Sequence, residues 1–78
     1  MDSITFKMTM DGEAIAFVWS AEANRGMVMS YMHVGQHGEA SLSYVDDCRY
    51  ARGAEEIEKC HDLVQELRSI GYDLNPPV

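Results

Sequence analysis

The chain has 78 residues, of which 13 are acidic and six are basic, so its formal charge is −7 at neutral pH. Binding to a nucleic-acid backbone needs clustered lysine and arginine, and this balance argues against direct nucleic-acid binding. No apolar run approaches the roughly 18 residues of a membrane span. The length predicts one folded domain, residues 1–78.

The N-terminal sequence Met1-Asp2-Ser3-Ile4 has neither the basic nor the apolar region of a secretory signal. We therefore expect a cytoplasmic protein with no contact to a membrane. Disulfides are uncommon in that reducing compartment, so Cys48 and Cys60 are expected to be free thiols, with Cys60 in the core.

Residues 3–20 predict a β-hairpin. Apolar and polar residues alternate over 4–10, which is the period of a half-buried strand. Over 14–20 the large apolar residues Ile15, Phe17 and Trp19 alternate with the smaller residues Ala14, Ala16, Val18 and Ser20. The dipeptide Asp11-Gly12 between the two runs is favoured in tight hairpin turns.

Residues 27–45 predict a second hairpin, which follows the turn signal Asn24-Arg25-Gly26. Residues 27–34 are apolar on both faces, as is typical of a strand that is covered on both sides. Alternation resumes over 40–45 and predicts a fourth strand that ends near Val45. Together the two hairpins predict a four-stranded antiparallel sheet over 3–45, followed by a polar connection.

Residues 54–70 predict the single helix of the chain. Its apolar residues fall on one arc at about 100° per residue. They are Ile57, Cys60, Leu63, Val64, Leu67 and Ile70. Gly71 is a natural residue to end the helix, and residues 71–78 are expected to form a C-terminal tail. The predicted fold class is therefore α+β (ββββα), with the helix packed on one face of the sheet.

The other face of the sheet is predicted to lie uncovered. It would hold Thr5, Lys7, Thr9 and, in one register, Ala16, Val18, Val28 and Met32. A semi-apolar face without a cover invites a partner, and a homodimer packed through the sheet or a strand edge is the simplest one.

Carboxylates line the helix opposite its apolar arc, and they are the leading candidates for a partner-binding surface. The candidate residues are Glu55, Glu58, Asp62 and Glu66 on the helix, Asp46 and Asp47 before it, and Tyr31 as an aromatic anchor. Such a stripe can present charge to a basic groove much as a phosphate backbone does. The alternatives are a solvated helix face for the acids and core packing for the tyrosine.

The sequence indicates no catalytic or metal-binding apparatus. His33 and His37 are four residues apart but lie across a turn, and the chain has no C-x₂-C and no H-x₃-H on a helix that would supply paired zinc ligands. Cys60 and His61 are neighbours on the helix, so their side chains point about 100° apart. The segment 35–38 is too short for a phosphate-binding loop. We expect no cofactor, no metal and no enzymatic activity.

The favoured interpretation is a small, non-enzymatic protein that occupies a basic surface of a larger protein. Because such a surface is usually a nucleic-acid channel, the specific form of this hypothesis is an inhibitor that competes with nucleic acid. In size and charge the chain resembles the small acidic proteins of bacteriophages and mobile elements that block host defence nucleases, such as anti-CRISPR proteins. The resemblance extends to no motif and implies no role for any residue.

Two alternatives come from other functional classes. The first is a structural or accessory homodimer that has no charged target. The second is a small enzyme or metal protein that uses His33, His37, Cys48, Cys60 or His61.

Overall fold

The computed structural model describes residues 2–32 and 35–74. Its elements are β1 (Ile4–Met8), β2 (Ala14–Val18), β3 (Met27–Met32), β4 (His37–Ser41), α1 (Leu42–Asp47) and α2 (Gly53–Ser69). The four strands form one antiparallel sheet in the order β1-β2-β3-β4. The predicted α+β fold, with a C-terminal helix packed against the sheet, is confirmed.

The first hairpin turns through residues 9–13. The amide of Gly12 donates to the carbonyl of Thr9 at 3.0 Å, and the amide of Thr9 donates to the carbonyl of Glu13 at 2.8 Å. Gly12 has a φ of 81°, a conformation that side chains disfavour. Met10, which the alternation places in the strand, lies in this turn instead and is 92% exposed.

β2 is buried along its whole length because both faces of the sheet are covered. Ala16 pairs with Phe6 and shares its face, whereas Phe17 pairs with Thr5 and shares the opposite face. The expectation that Ala16 and Val18 share the face of Thr5 is therefore wrong. Val28 and Met32 do lie on that face, where they pack with Ile15 and Phe17.

α2 covers the face of the sheet that carries Ala16. The buried residues of this layer are Met8, Ala14, Ala16, Cys60, Leu63, Val64, Leu67 and Leu74. The expectation that Cys60 lies in the core is confirmed. Ile70, expected as the last residue of the helix, lies just beyond its end at Ser69. Its backbone has left the helical conformation, and its side chain is 60% exposed.

α1 covers the opposite face, and the sequence did not predict this helix. The sheet ends at Ser41 and not near Val45, because the hydroxyl of Ser41 accepts a hydrogen bond from the amide of Tyr44 at 3.2 Å and caps the new helix. The buried residues of this second layer are Ile15, Phe17, Val28, Val45 and Cys48. The chain itself thus covers the face on which the sequence places a homodimer contact.

The segment between the helices carries the chain past the edge of β1. Met8 and Arg49 exchange two backbone hydrogen bonds of 2.6 and 3.1 Å. The guanidinium of Arg49 then donates to both carboxylate oxygens of Glu56, at 2.7 and 2.6 Å. Glu56 also accepts a hydrogen bond from the amide of Arg52 at 2.7 Å, which satisfies one donor at the start of α2.

The described C-terminal residues return to the core, although the sequence predicts a tail from residue 71. Leu74 is buried, and its carbonyl accepts two hydrogen bonds from the guanidinium of Arg68, at 3.1 and 2.7 Å. The amide of Asp2 donates to the carbonyl of Asp73 at 2.7 Å, and the amide of Asp73 donates to the carboxylate of Asp2 at 2.8 Å. Residues 75–78 lie outside the described part of the chain.

A substitution at Phe17 tests whether the second face of the sheet is core. Phe17 is fully buried, so we expect Phe17→Ala to lower the free energy of unfolding by about 3–5 kcal/mol. Urea denaturation followed by circular dichroism measures this change. Met10→Ala, at an exposed position, is the control and should change the free energy by less than about 0.5 kcal/mol. Similar small effects of both substitutions would contradict the two-sided core.

The ion pair of Arg49 and Glu56 makes stability depend on acidity. The Arg49 guanidinium holds the pKa of Glu56 at about 2, against an ordinary value of 4.5. The stabilisation is therefore complete above pH 4.5 and is lost as the pH falls toward 2. We expect Glu56→Gln to be less stable than the wild type at pH 7 and to converge with it near pH 2, as measured by urea denaturation across this range. Glu58→Gln is the control, and parallel curves for Glu56→Gln and the wild type would contradict the assignment.

Candidate protein-binding surface

The solvent-facing side of α2 brings four of the candidate residues together. We call Glu55, Glu58, Asp62 and Glu66 the acidic stripe. At 1.5 Å and 100° per residue they span about 16 Å along the helix and about 80° around it. Glu55, Glu58 and Asp62 are exposed, and Glu66 is half-buried. The sequence prediction of one acidic helix face agrees with this arrangement.

Three members of the acidic stripe have no partner within the described part of the chain. The side-chain carboxylates of Glu55, Glu58 and Asp62 make no hydrogen bond or ion pair with another described residue. Glu56, which lies beside them, is instead held by Arg49. The exposed carboxylates are therefore available to a partner without the loss of an internal contact.

Lys59 and Arg68, the lysine and arginine of α2, donate to backbone carbonyls and not to Glu55, Glu58 or Asp62. The ammonium of Lys59 donates to the carbonyl of Gly12 in the first hairpin at 3.0 Å. Arg68 donates to the carbonyl of Leu74. Both cations thus hold the helix to neighbouring segments.

Asp46 and Asp47 lie on the other side of the sheet. Both are exposed on α1, whose Val45 packs with Phe17, whereas α2 packs with Ala16. Neighbouring residues of a strand point to opposite faces. The structure therefore does not bring Asp46 and Asp47 next to the acidic stripe.

Exposed aromatic side chains accompany the α1 side of the sheet. Trp19, Tyr44 and Tyr50 are all exposed. The indole of Trp19 donates to the hydroxyl of Thr5 at 2.9 Å, and the ammonium of Lys7 lies 4.9 Å from the centre of the Tyr50 ring. Exposed aromatics are thus placed with Asp46 and Asp47, on the side away from the acidic stripe.

Tyr31, the candidate aromatic anchor, is half-buried on the α2 side. Its hydroxyl shares a hydrogen bond of 2.9 Å with that of Tyr72, and the two rings meet edge to face at 5.6 Å. This hydrogen bond raises the pKa of Tyr72 to about 12. Tyr31 is therefore a half-buried side chain packed against Tyr72, and it does not project from the surface.

A cleft of about 360 Å³ separates the second hairpin from the C-terminal half of α2. Tyr31 and Met32 line it on the sheet side, and Leu67 and Glu66 line it on the helix side. Glu66 thus belongs both to the acidic stripe and to the wall of the cleft. Sequence reasoning missed the cleft, because no periodic pattern indicates a gap between two distant elements.

Within the described residues, the cysteines and histidines of the catalytic and metal-binding alternative form no metal-binding group. Cys48 and Cys60 are buried in separate layers of the core, and burial raises the pKa of both thiols. Residues 2–32 and 35–74 contain no group of three or more His, Cys, Asp and Glu side chains that could hold a metal ion. His33 lies outside these residues.

Comparison of the chain with protein-family models, curated protein sequences and solved structures found no match. No residue role is therefore carried over from another protein, and the functional argument rests on the surfaces of this chain. Among the described helices, none is long and apolar enough to cross a membrane.

Thiol reactivity distinguishes buried cysteines from a catalytic one. Because burial raises the pKa of Cys48 and Cys60 and shields both sulfurs, alkylation by iodoacetamide at pH 8 should be at least about 100-fold slower in buffer than in urea. Mass spectrometry measures both rates, and the variants Cys48→Ser and Cys60→Ser assign them. Rapid alkylation of either thiol in the folded protein would contradict this and favour the catalytic alternative.

Proposed function

We propose that the protein is a small, non-enzymatic binding protein whose acidic stripe occupies a basic surface of a larger protein. The observation that carries the proposal is the set of exposed carboxylates on α2 that lack internal partners, Glu55, Glu58 and Asp62. Like charges three or four residues apart on a helix destabilise it by roughly 0.2–0.5 kcal/mol per pair. A binding role accounts for a surface that has this cost.

The charge density of the acidic stripe supports a partner whose basic surface is a groove that normally holds nucleic acid. Four carboxylates over about 16 Å give one charge per roughly 5.5 Å, which is of the same order as the one phosphate per roughly 3.4 Å along a strand of DNA. The buried residues Leu63 and Val64 hold α2 on the sheet, so the charges are presented without the entropy of ordering a flexible segment. The proposed action is competition with nucleic acid for a groove rich in lysine and arginine.

The partner in this proposal is a basic, nucleic-acid-binding protein or complex of the cytoplasm. Small anti-defence proteins, anti-CRISPR proteins among them, are the functional class to which the proposal assigns the chain. An accessory homodimer has less support, because α1 covers the sheet face that such a dimer would use. Direct binding of nucleic acid is not proposed, since the net charge is −7.

Two double charge reversals test the location of the binding surface. Glu58→Lys/Asp62→Lys changes the acidic stripe, and Asp46→Lys/Asp47→Lys changes the opposite side of the sheet. Each raises the net charge by four, from −7 to −3. Tagged baits in host lysate at about 50 and 300 mM salt should capture a nucleic-acid-binding protein at low salt only. The bait changed on α2 should lose this protein, and the bait changed on α1 should keep it.

The captured protein is then tested for displacement of its nucleic acid by electrophoretic mobility shift. Displacement by the wild type, and at least about tenfold weaker displacement by Glu58→Lys/Asp62→Lys, is the expected result for a desolvated charge contact. Equal loss in both double variants would assign the effect to net charge. No loss in either would show that the acidic stripe is a solvated helix face, and both outcomes contradict the proposal.

A further inference from the structure

We infer that the cleft beside α2 receives an apolar side chain from the basic partner, on an extended segment whose lysines or arginines lie along the acidic stripe. The inference rests on the proposed function, because it names the part of the partner that the acidic stripe would bind. In this inference the cleft and the acidic stripe form one continuous binding surface.

The walls of the cleft suit a hydrocarbon or aromatic side chain. Leu63 and Leu67 line it from α2, Ile70 lines it from the residue just after the helix, and Tyr31 lines it from β3. Its volume of about 360 Å³ lies near the lower end of the roughly 300–1,000 Å³ of ligand pockets. It can therefore hold a large side chain and is small for a cofactor. Ile70 contributes a side chain that is 60% exposed, which a bound apolar group would shield from water.

Charge identifies the kind of segment that brings this side chain. Glu66 places a carboxylate in the wall of the cleft, and Asp62 lies one helical turn before it on the exposed face. With a net charge of −7 on the whole chain, an acidic or phosphorylated segment would be repelled and a basic one attracted. The occupant is therefore an apolar side chain flanked by lysine or arginine.

The spacing of the carboxylates favours an extended segment. Glu66, Asp62 and Glu58 follow one another at four-residue intervals, a rise of about 6 Å each. In an extended chain, side chains on one face recur about every 6.6 Å. A segment with an apolar residue and then a basic residue at every second position matches both the cleft and the stripe along its length.

Two fluorescent peptides of equal charge test this inference, Leu-Ser-Lys-Ser-Lys-Ser-Lys and Ser-Ser-Lys-Ser-Lys-Ser-Lys. Fluorescence anisotropy at about 20 mM salt measures their affinities for the intact protein. The wild type should bind the leucine peptide at least about tenfold more tightly than the serine peptide. Only the leucine peptide should shift the backbone amide resonances of Tyr31 and Leu67.

Variants separate the cleft from the acidic stripe. Ile70→Ser alters the wall at an exposed position, and Ser69→Trp fills the cleft from another exposed position. Both should remove the advantage of the leucine peptide and leave the serine peptide unaffected. Leu42→Ser, which trims an exposed apolar side chain on α1, is the matched control and should change neither affinity. Asp62→Lys should weaken both peptides.

The outcomes distinguish failure of the inference from failure of the proposed function. If both peptides bind equally and Asp62→Lys weakens both, the cleft is not used and the acidic stripe still is. A leucine advantage that persists in Ile70→Ser and in Ser69→Trp also overturns the inference. If neither peptide binds the wild type at low salt, the inference and the proposed function are both overturned.

Discussion

The complete burial of β2 is the constraint on which the rest of the fold depends. Ala14 and Ala16 need cover on one face of the sheet, and Ile15 and Phe17 need it on the other. A chain of this length buries only about 60–65% of its surface, so it uses one central strand for two thin layers of core. The chain must then cross from one face to the other between its helices, and the pairing of residues 8 and 49 fixes that crossing.

This two-sided arrangement separates the surface into two regions with different chemistry. The α2 side presents the acidic stripe and a cleft, and the α1 side presents Asp46 and Asp47 with exposed aromatic rings. Long-range electrostatic attraction depends on the charge of the whole molecule, whereas desolvated contacts form only on the side that meets the partner. A partner held by α2 would leave the aromatic side of the protein open.

Local patterns were sufficient to predict the first hairpin, α2 and the buried Cys60. Alternation and the Asp11-Gly12 turn lie within a few residues of the elements that they specify, and the acidic stripe follows from helix spacing alone. α1 escaped prediction because residues 40–45 alternate like a strand, while one hydrogen bond to the hydroxyl of Ser41 starts a helix. The register and the cleft could not be predicted, because they depend on contacts between distant segments, such as the one between Tyr31 and Tyr72.

The paired hydrogen bonds of Asp2 and Asp73 bring the two described ends of the chain together. Asp2 and Asp73 are therefore neighbours in the folded protein, although they lie 71 positions apart along the chain. Folding therefore already includes the entropy cost of bringing these two residues together. A covalent link across this junction would restrict the unfolded chain and leave the acidic stripe and the aromatic side where they are.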